Sequence, residues 1–241
     1  MDAPFPGTCS SGGAQCSNCR DDDGDGLVDG FDPECTGPVD NDEGSFRTGI
    51  GGDNVDGVIM DCLYDGNAVA EDDGCSIHVC CVLGARNKTE CPLGTSRFDV
   101  ADCPPPLGTT PLPQQCIDAC GHLAPPGCDC FGCCTLCDPQ GRCRDVDIHP
   151  LVSPNCDSTN VMDPGADTQV DTKDDPCRAC QKSETCGSPL CGGTSCIACP
   201  GQTVVAGCGA TACPPGYPAC TNASCAVGSY CANGCCIGTI P

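Results

Sequence analysis

The sequence predicts a disulfide-rich, irregular fold: loop-dominated, with short β-hairpins and few or no helices, held by many disulfides and by calcium. Three observations predict it. The chain has 241 residues and 32 Cys, yet no Trp and only 3% aromatic residues. Gly 32 and Pro 23 break up any long periodic run. Asp+Glu 33 against Lys+Arg 10 gives a formal net charge of −23. A chain so charged and so poor in large apolar groups cannot offset its conformational entropy by burial alone. Cross-links take that role. Complete pairing of the 32 Cys would place a bridge about every 15 residues, each contributing roughly 2–4 kcal/mol by constraining the unfolded chain.

The elements follow in chain order. Residues 21–75 hold 17 of the acids and one basic residue, Arg47. They mark an acidic module, taken as 1–61. Residues 62–143 carry 14 Cys, including Cys128, Cys130, Cys133, Cys134 and Cys137, and form a cysteine-rich core module. Residues 144–176 carry only Cys156 amid Asp, Thr, Pro and Val, and read as a linker or exposed excursion. Residues 177–241 form a C-terminal cysteine-rich hairpin module. The best helical segment is Pro113 to Cys120, with Gly121 behind it as a stop. Val55 to Met60, Ser76 to Leu83 and Gln202 to Val205 read as short strands. Asn233-Gly234 between Tyr230-Cys231 and Cys235-Cys236 is a strong hairpin signal.

Thirty-two cysteines imply an oxidising compartment. The extracellular space, as a secreted or cell-surface protein, is the expected location. The first ten residues have no basic or long apolar segment, so a secretory signal would have been removed or lie outside this sequence. Three vicinal pairs, Cys80-Cys81, Cys133-Cys134 and Cys235-Cys236, are each expected to clip two other segments to one point, because a bridge between neighbours strains the peptide. Two sequons, at Asn87 and Asn222, are chemically able to carry glycans. No apolar run is long enough for a membrane span. The acidic balance leaves no basic stripe for nucleic acid.

The sharpest motif begins at Asp21. Counting it as position 1, carboxylates fall at 1, 3, 5, 9 and 12 (Asp21, Asp23, Asp25, Asp29 and Asp32), and Gly26 falls at 6. This is the spacing of calcium loops. Ca²⁺ takes six to eight oxygens at about 2.3–2.6 Å. Alternate side chains of a tight loop point inward, and a glycine at position 6 turns the Leu27 carbonyl towards the ion. Oxygen ligands without His or Cys favour Ca²⁺ over zinc or copper. Asp32 reaches less far than the Glu usual at position 12. Cys19 and Pro33 stand where an EF-hand places helices. Asp40 and Asp42, in the run Asp40 to Glu43, are expected to share or extend the site. Asp65, Asn67, Asp72 and Asp73, between Cys62 and Cys75, could form another, as could the group Asp53, Asn54 and Asp56. At each of these secondary groups a solvated acidic turn competes with the ion site.

Cys177-x2-Cys180 and Cys196-x2-Cys199 have zinc-ribbon spacing, but Cys186 and Cys191 lie between them and disulfide pairing competes. The histidines, His78, His122 and His149, lie in no recognised catalytic motif, and no G-x-S-x-G occurs. The expectation is that the protein is not an enzyme.

The Asp21–Asp32 loop, flanked by Cys19 and Pro33, resembles the cysteine-tethered loops of thrombospondin type 3 repeats and, in its twelfth residue, dockerin loops. That likeness implies structural calcium. The run Cys213 to Cys220 with Cys225 to Cys236 resembles small modules of granulin-like and lustrin-like extracellular proteins. Asp25 to Glu43, Gly52 to Asp56, Tyr64 to Asn67, Asp72 to Cys75 and Gly127 to Cys134 resemble uncharacterised cysteine-rich secreted proteins of myxobacteria and their relatives, over most of the first 140 residues. This implies secretion and calcium, and no activity. The expected function is a secreted, calcium-binding, disulfide-stabilised structural protein that assembles with copies of itself into an extracellular filament, sheath or matrix. The competing expectation is a soluble binding module, such as an adhesin or a knottin-like protease inhibitor.

Overall fold

The computed structural model describes residues 13–24, 26, 28, 32, 34–36, 40–48, 58–64, 73–93, 97–121, 124, 127–138, 140–163, 165 and 175–186, with the backbone of 229–232 and 235–238. Within them the fold is disulfide-rich and loop-dominated. Two short helices and small antiparallel sheets are the only regular pieces among the described residues apart from isolated 3₁₀ turns.

Strand β1 (Ile59–Met60) pairs with β2 (Ile77–His78), and the chain passes from β2 directly into helix α1 (Val79–Val82). A strand over 76–83 was expected, and the structure corrects its second half. The run Val79-Cys80-Cys81-Val82 is apolar without alternation, and such a run suits a buried helix as well as a buried strand. His78 decides the matter: its Nδ1 accepts the Cys80 N–H at 3.1 Å and caps the turn. All four residues of α1 are buried.

Helix α2 (Gln114–Cys120) lies where the sequence places it, with Pro113 at its N-cap and Gly121 at its C-cap. Its buried residues are Cys116 and Cys120, one turn apart on a single face. Strand β3 (Cys133–Cys137) and β4 (Cys143–Asp147) form a hairpin, and β5 (Arg178–Ala179) adds to β4. Asp138 organises the hairpin loop by accepting the Gln140 and Arg142 N–H groups and pairing with the Arg142 guanidinium at 2.6 Å. The pair β6 (Ser229–Ala232) and β7 (Cys235–Gly238) is antiparallel, with Ala232 opposite Cys235, the two-residue hairpin that Asn233-Gly234 predicts.

Every cysteine whose side chain is described is bridged. The pairs are 16–35, 62–120, 75–116, 80–91, 81–103, 128–134, 130–186, 133–180, 137–143 and 156–177, and Cys19 is also disulfide-bonded. Two of the three vicinal pairs act as expected, and the side chains of Cys235-Cys236 lie outside the described residues. Cys80 and Cys81 go to Cys91 and Cys103, while Cys133 and Cys134 go to Cys180 and Cys128. Zinc-ribbon spacing does not prevail at 177–180, because Cys177 is bonded to Cys156 and Cys180 to Cys133. Cys196 and Cys199 lie outside the described residues.

The core is small and partly made of sulfur. Phe98, Phe131, Met60, Leu63, Ile148, Val146 and Val161 are fully buried among the bridges. The described part of 144–176 differs from a linker. It supplies most of β4, it buries Val146, Ile148, Cys156 and Val161, and Ser153 Oγ accepts the Arg178 N–H. Scarcity of Cys conceals this packing, since Val and Ile fill the core here instead. Among the described residues no helix is long and apolar enough to cross a membrane. The density of bridges fits an oxidising, extracellular setting.

Candidate functional site

The acidic module is built from the turn after Cys16, which is tied to Cys35 by a bridge. That bridge brackets the Asp-rich loop. Asp21 closes it: Oδ1 accepts the Gly24 N–H at 2.6 Å and Oδ2 the Gly26 N–H at 3.1 Å. Both glycines have left-handed backbone, with φ of 86° and 97°, which residues with a Cβ adopt only at a cost. The carboxylate at position 1 is therefore anchored to backbone at positions 4 and 6.

A second segment, 40–48, packs against the loop. The Cys16 N–H donates to the Asp40 carbonyl, and the Gln15 side chain accepts the Glu43 N–H at 2.9 Å. Glu43 is fully buried, and its Oε2 accepts the Asp22 N–H at 2.5 Å. Gly44 lies so near that a Cβ there would sit 3.3 Å from Asp23 Cβ and 3.6 Å from its Oδ2. The run Asp40 to Glu43 thus lies beside the start of the loop, with Glu43 21 residues from Asp22 along the chain. Glu43 is the residue that the candidate ligand set lacks. Its signal in the sequence was only its place in an acidic run.

The remaining candidates divide. Asp32 is buried, and its Oδ1 accepts the Glu34 N–H at 2.9 Å. Glu34, also buried, accepts the Ser158 N–H on Oε1 at 3.2 Å and so ties the module to the 150–163 turns. Asp40 spends both oxygens within its own turn, on Thr36 N–H and Oγ1 and on the Asp42 N–H. Asp42 accepts the Ser45 hydroxyl at 2.6 Å. Asp73 is elsewhere, bound to the Cys75 N–H and in contact with Cys120 Sγ. Asp25, Leu27, Asp29, Asp65, Asn67 and Asp72 lie outside the described residues, as do Asp53, Asn54, Asp56, Asn222 and His122.

Asp32, Glu34, Asp40 and Glu43 are all buried, while the only basic residue within 21–75, Arg47, is exposed. Burial pushes the Asp40 carboxyl up to about 7, and the charge of Asp42 adds to the rise against the Thr36 and Asp42 hydrogen bonds. Buried carboxylates are costly without a counter-charge. A donor set of carboxylate and carbonyl oxygens suits a hard divalent cation.

A second polar centre lies under β3 and β4. Asp129 accepts the Phe131 and Cys133 N–H groups on Oδ1 and the Ser183 N–H on Oδ2. Burial still raises its pKa to about 6. Asp147, opposite Cys133 in the sheet, accepts the His149 N–H on Oδ1, and its buried Oδ2 has no hydrogen-bond partner. Burial, and then the charge of Asp129, push it up to about 8 against the pull of Arg178. These carboxyls pin turns together. His149 is buried and accepts the Leu151 N–H on Nδ1, while His78 caps α1 and packs on Phe98 at 5.1 Å. The Asn87 sequon sits on an exposed turn, with Asn87 Oδ1 accepting the Thr89 and Glu90 N–H groups.

No family model, curated protein or solved structure matches this chain.

Proposed function

We propose that the protein is a secreted building block of an extracellular assembly, whose acidic module binds structural Ca²⁺ and whose bridges make each subunit rigid. One observation carries the calcium reading. Asp21 is held by the N–H groups of positions 4 and 6 of its loop while buried Glu43 closes on position 2, in a segment whose one basic residue is exposed. Asp21, Asp23, Asp25, Asp29, Asp32 and the Leu27 carbonyl are the ligand set. Glu43 supplies the reach that Asp32 lacks. Extracellular modules of this type bind Ca²⁺ at roughly 10⁻⁴–10⁻³ M. The assembly reading rests on charge. Subunits at −23 repel one another at long range, and bound Ca²⁺ lowers that charge by two per site, so calcium binding and self-association are linked.

Calorimetric calcium titration tests the site. Wild type gives a saturable heat that Asp23→Ala abolishes and Glu43→Gln weakens by about tenfold, a loss of roughly 1.4 kcal/mol. Equal heats for wild type and Asp23→Ala refute the site. Light scattering tests the assembly: particles that shrink on chelation support it, and a monodisperse monomer at every calcium level leaves the soluble binding module in its place.

A further inference from the structure

The strongest unassigned cluster is made of sulfur. Cys62 follows β1, Cys75 precedes β2, and Cys116 and Cys120 lie one turn apart on α2. All four are fully buried. Their two bridges, 62–120 and 75–116, lie side by side, with Cys75 Sγ 3.3 Å from Cys120 Sγ across the pair. The fold thus gathers one four-sulfur group rather than two separate cross-links. Asp73 reaches the same place. Its Oδ1 accepts the Cys75 N–H at 2.6 Å, its Oδ2 lies 3.0 Å from Cys120 Sγ, and ligand atoms of Cys62, Asp73 and Cys120 lie within 4.8 Å of one another. A disulfide sulfur has no hydrogen to offer a carboxylate, so the oxidised state leaves this contact unrewarded. A thiol proton or a shared cation satisfies it.

We propose that Cys62, Cys75, Cys116 and Cys120, with Asp73 beside them, form a redox-gated site for a thiophilic divalent cation, with zinc as the fitting ion. Thiolates at about 2.3 Å around tetrahedral Zn²⁺ stand roughly 3.8 Å apart, about half an ångström more than the 3.3 Å between Cys75 Sγ and Cys120 Sγ. Reduction places two electrons and two protons on each bridge, supplied by a dithiol that becomes a disulfide, or by a phosphine with one water that becomes the phosphine oxide, and yields four thiols. Zn²⁺ displaces their protons to form the tetrathiolate. Two equivalents of an oxidised dithiol reverse the process: both bridges re-form, two dithiols are produced and Zn²⁺ leaves. The soft sulfur set separates this site from the oxygen-lined acidic module.

The test uses the full chain, reduced stepwise with a water-soluble phosphine, with or without one equivalent of Zn²⁺. Pulsed alkylation followed by mass mapping then reads each cysteine. The expected result is one zinc in the native mass spectrum and at least tenfold slower alkylation at Cys62, Cys75, Cys116 and Cys120. The double variant Cys75→Ser/Cys116→Ser loses protection at Cys62 and Cys120, whereas Cys80→Ser/Cys91→Ser keeps it. Uniform alkylation, or protection centred on other cysteines such as 177, 180, 196 and 199, overturns the proposal. The wild-type map alone decides if a variant does not fold.

Discussion

Replacing Asp147 by Asn tests the electrostatic account of the β3–β4 sheet. Asp147 is fully buried, one oxygen accepts the His149 N–H at 2.8 Å, and the other has no hydrogen bond. Its pKa rises from 3.8 to about 8 through burial and then the charge of Asp129, with Arg178 opposing. Between about pH 4 and pH 8 the folded chain therefore keeps a proton here that the unfolded chain has lost. Stability from this group is fully present below pH 4 and falls with pH by about 1.4 kcal/mol per unit until the folded group itself ionises. From pH 4 to pH 7 that amounts to roughly 4 kcal/mol at most, since local relaxation reduces it. Asn has the same shape and no proton to lose. An unpaired amide group imposes a constant penalty of about 1–3 kcal/mol, independent of pH. The assay is guanidinium unfolding with bridges intact and calcium chelated, at intervals from pH 4 to pH 9. Wild type is expected to be the more stable at pH 4, with the difference shrinking steadily and reversing near neutrality. Titrating groups that do not interact with Asp147 cancel in that difference; Asp129, whose charge acts on Asp147, contributes to it. Parallel stability curves would refute the assigned burial and proton.

Three further outcomes are expected. Gly132 has φ +84°, and a Cβ there would meet Leu63 Cδ2 at 2.5 Å, so Gly132→Ala should lose about 2–4 kcal/mol by chemical denaturation; Gly141, at φ +77° with open space, should lose only about 1 kcal/mol. Thiol titration in denaturant without reductant should find essentially no free cysteine, and several reactive thiols would contradict complete pairing. Removing the 16–35 bridge as a double Ser variant should lower stability by about 3 kcal/mol and weaken calcium binding, since that bridge brackets the Asp-rich loop; unchanged calcorimetric affinity would detach the loop from its brace.

Local chemistry made part of this protein legible. Composition alone required cross-links in place of a large core. Pro113 suits the start of α2, where a missing N–H costs no helical hydrogen bond, and Asn233-Gly234 predicts the two-residue connection that the pairing of Ala232 with Cys235 requires. The spacing from Asp21 to Gly26 predicts a curled loop because the interacting groups are at most five residues apart. What the tertiary structure decided involves long separations. Spacing carries no record of which sulfur meets which, because bonding needs Cα atoms about 4–7 Å apart in the finished fold; Cys130 meets Cys186 across 56 residues. Glu43 reaches Asp22, and Ser158 reaches Glu34, only after the chain has packed. Val79 to Val82 become helical where His78 Nδ1 accepts the Cys80 N–H and caps their first turn. Asp129 and Asp147 look like ordinary surface acids in the sequence, and only burial beneath the hairpin, which removes the water that would have solvated them, gives them their raised pKa values.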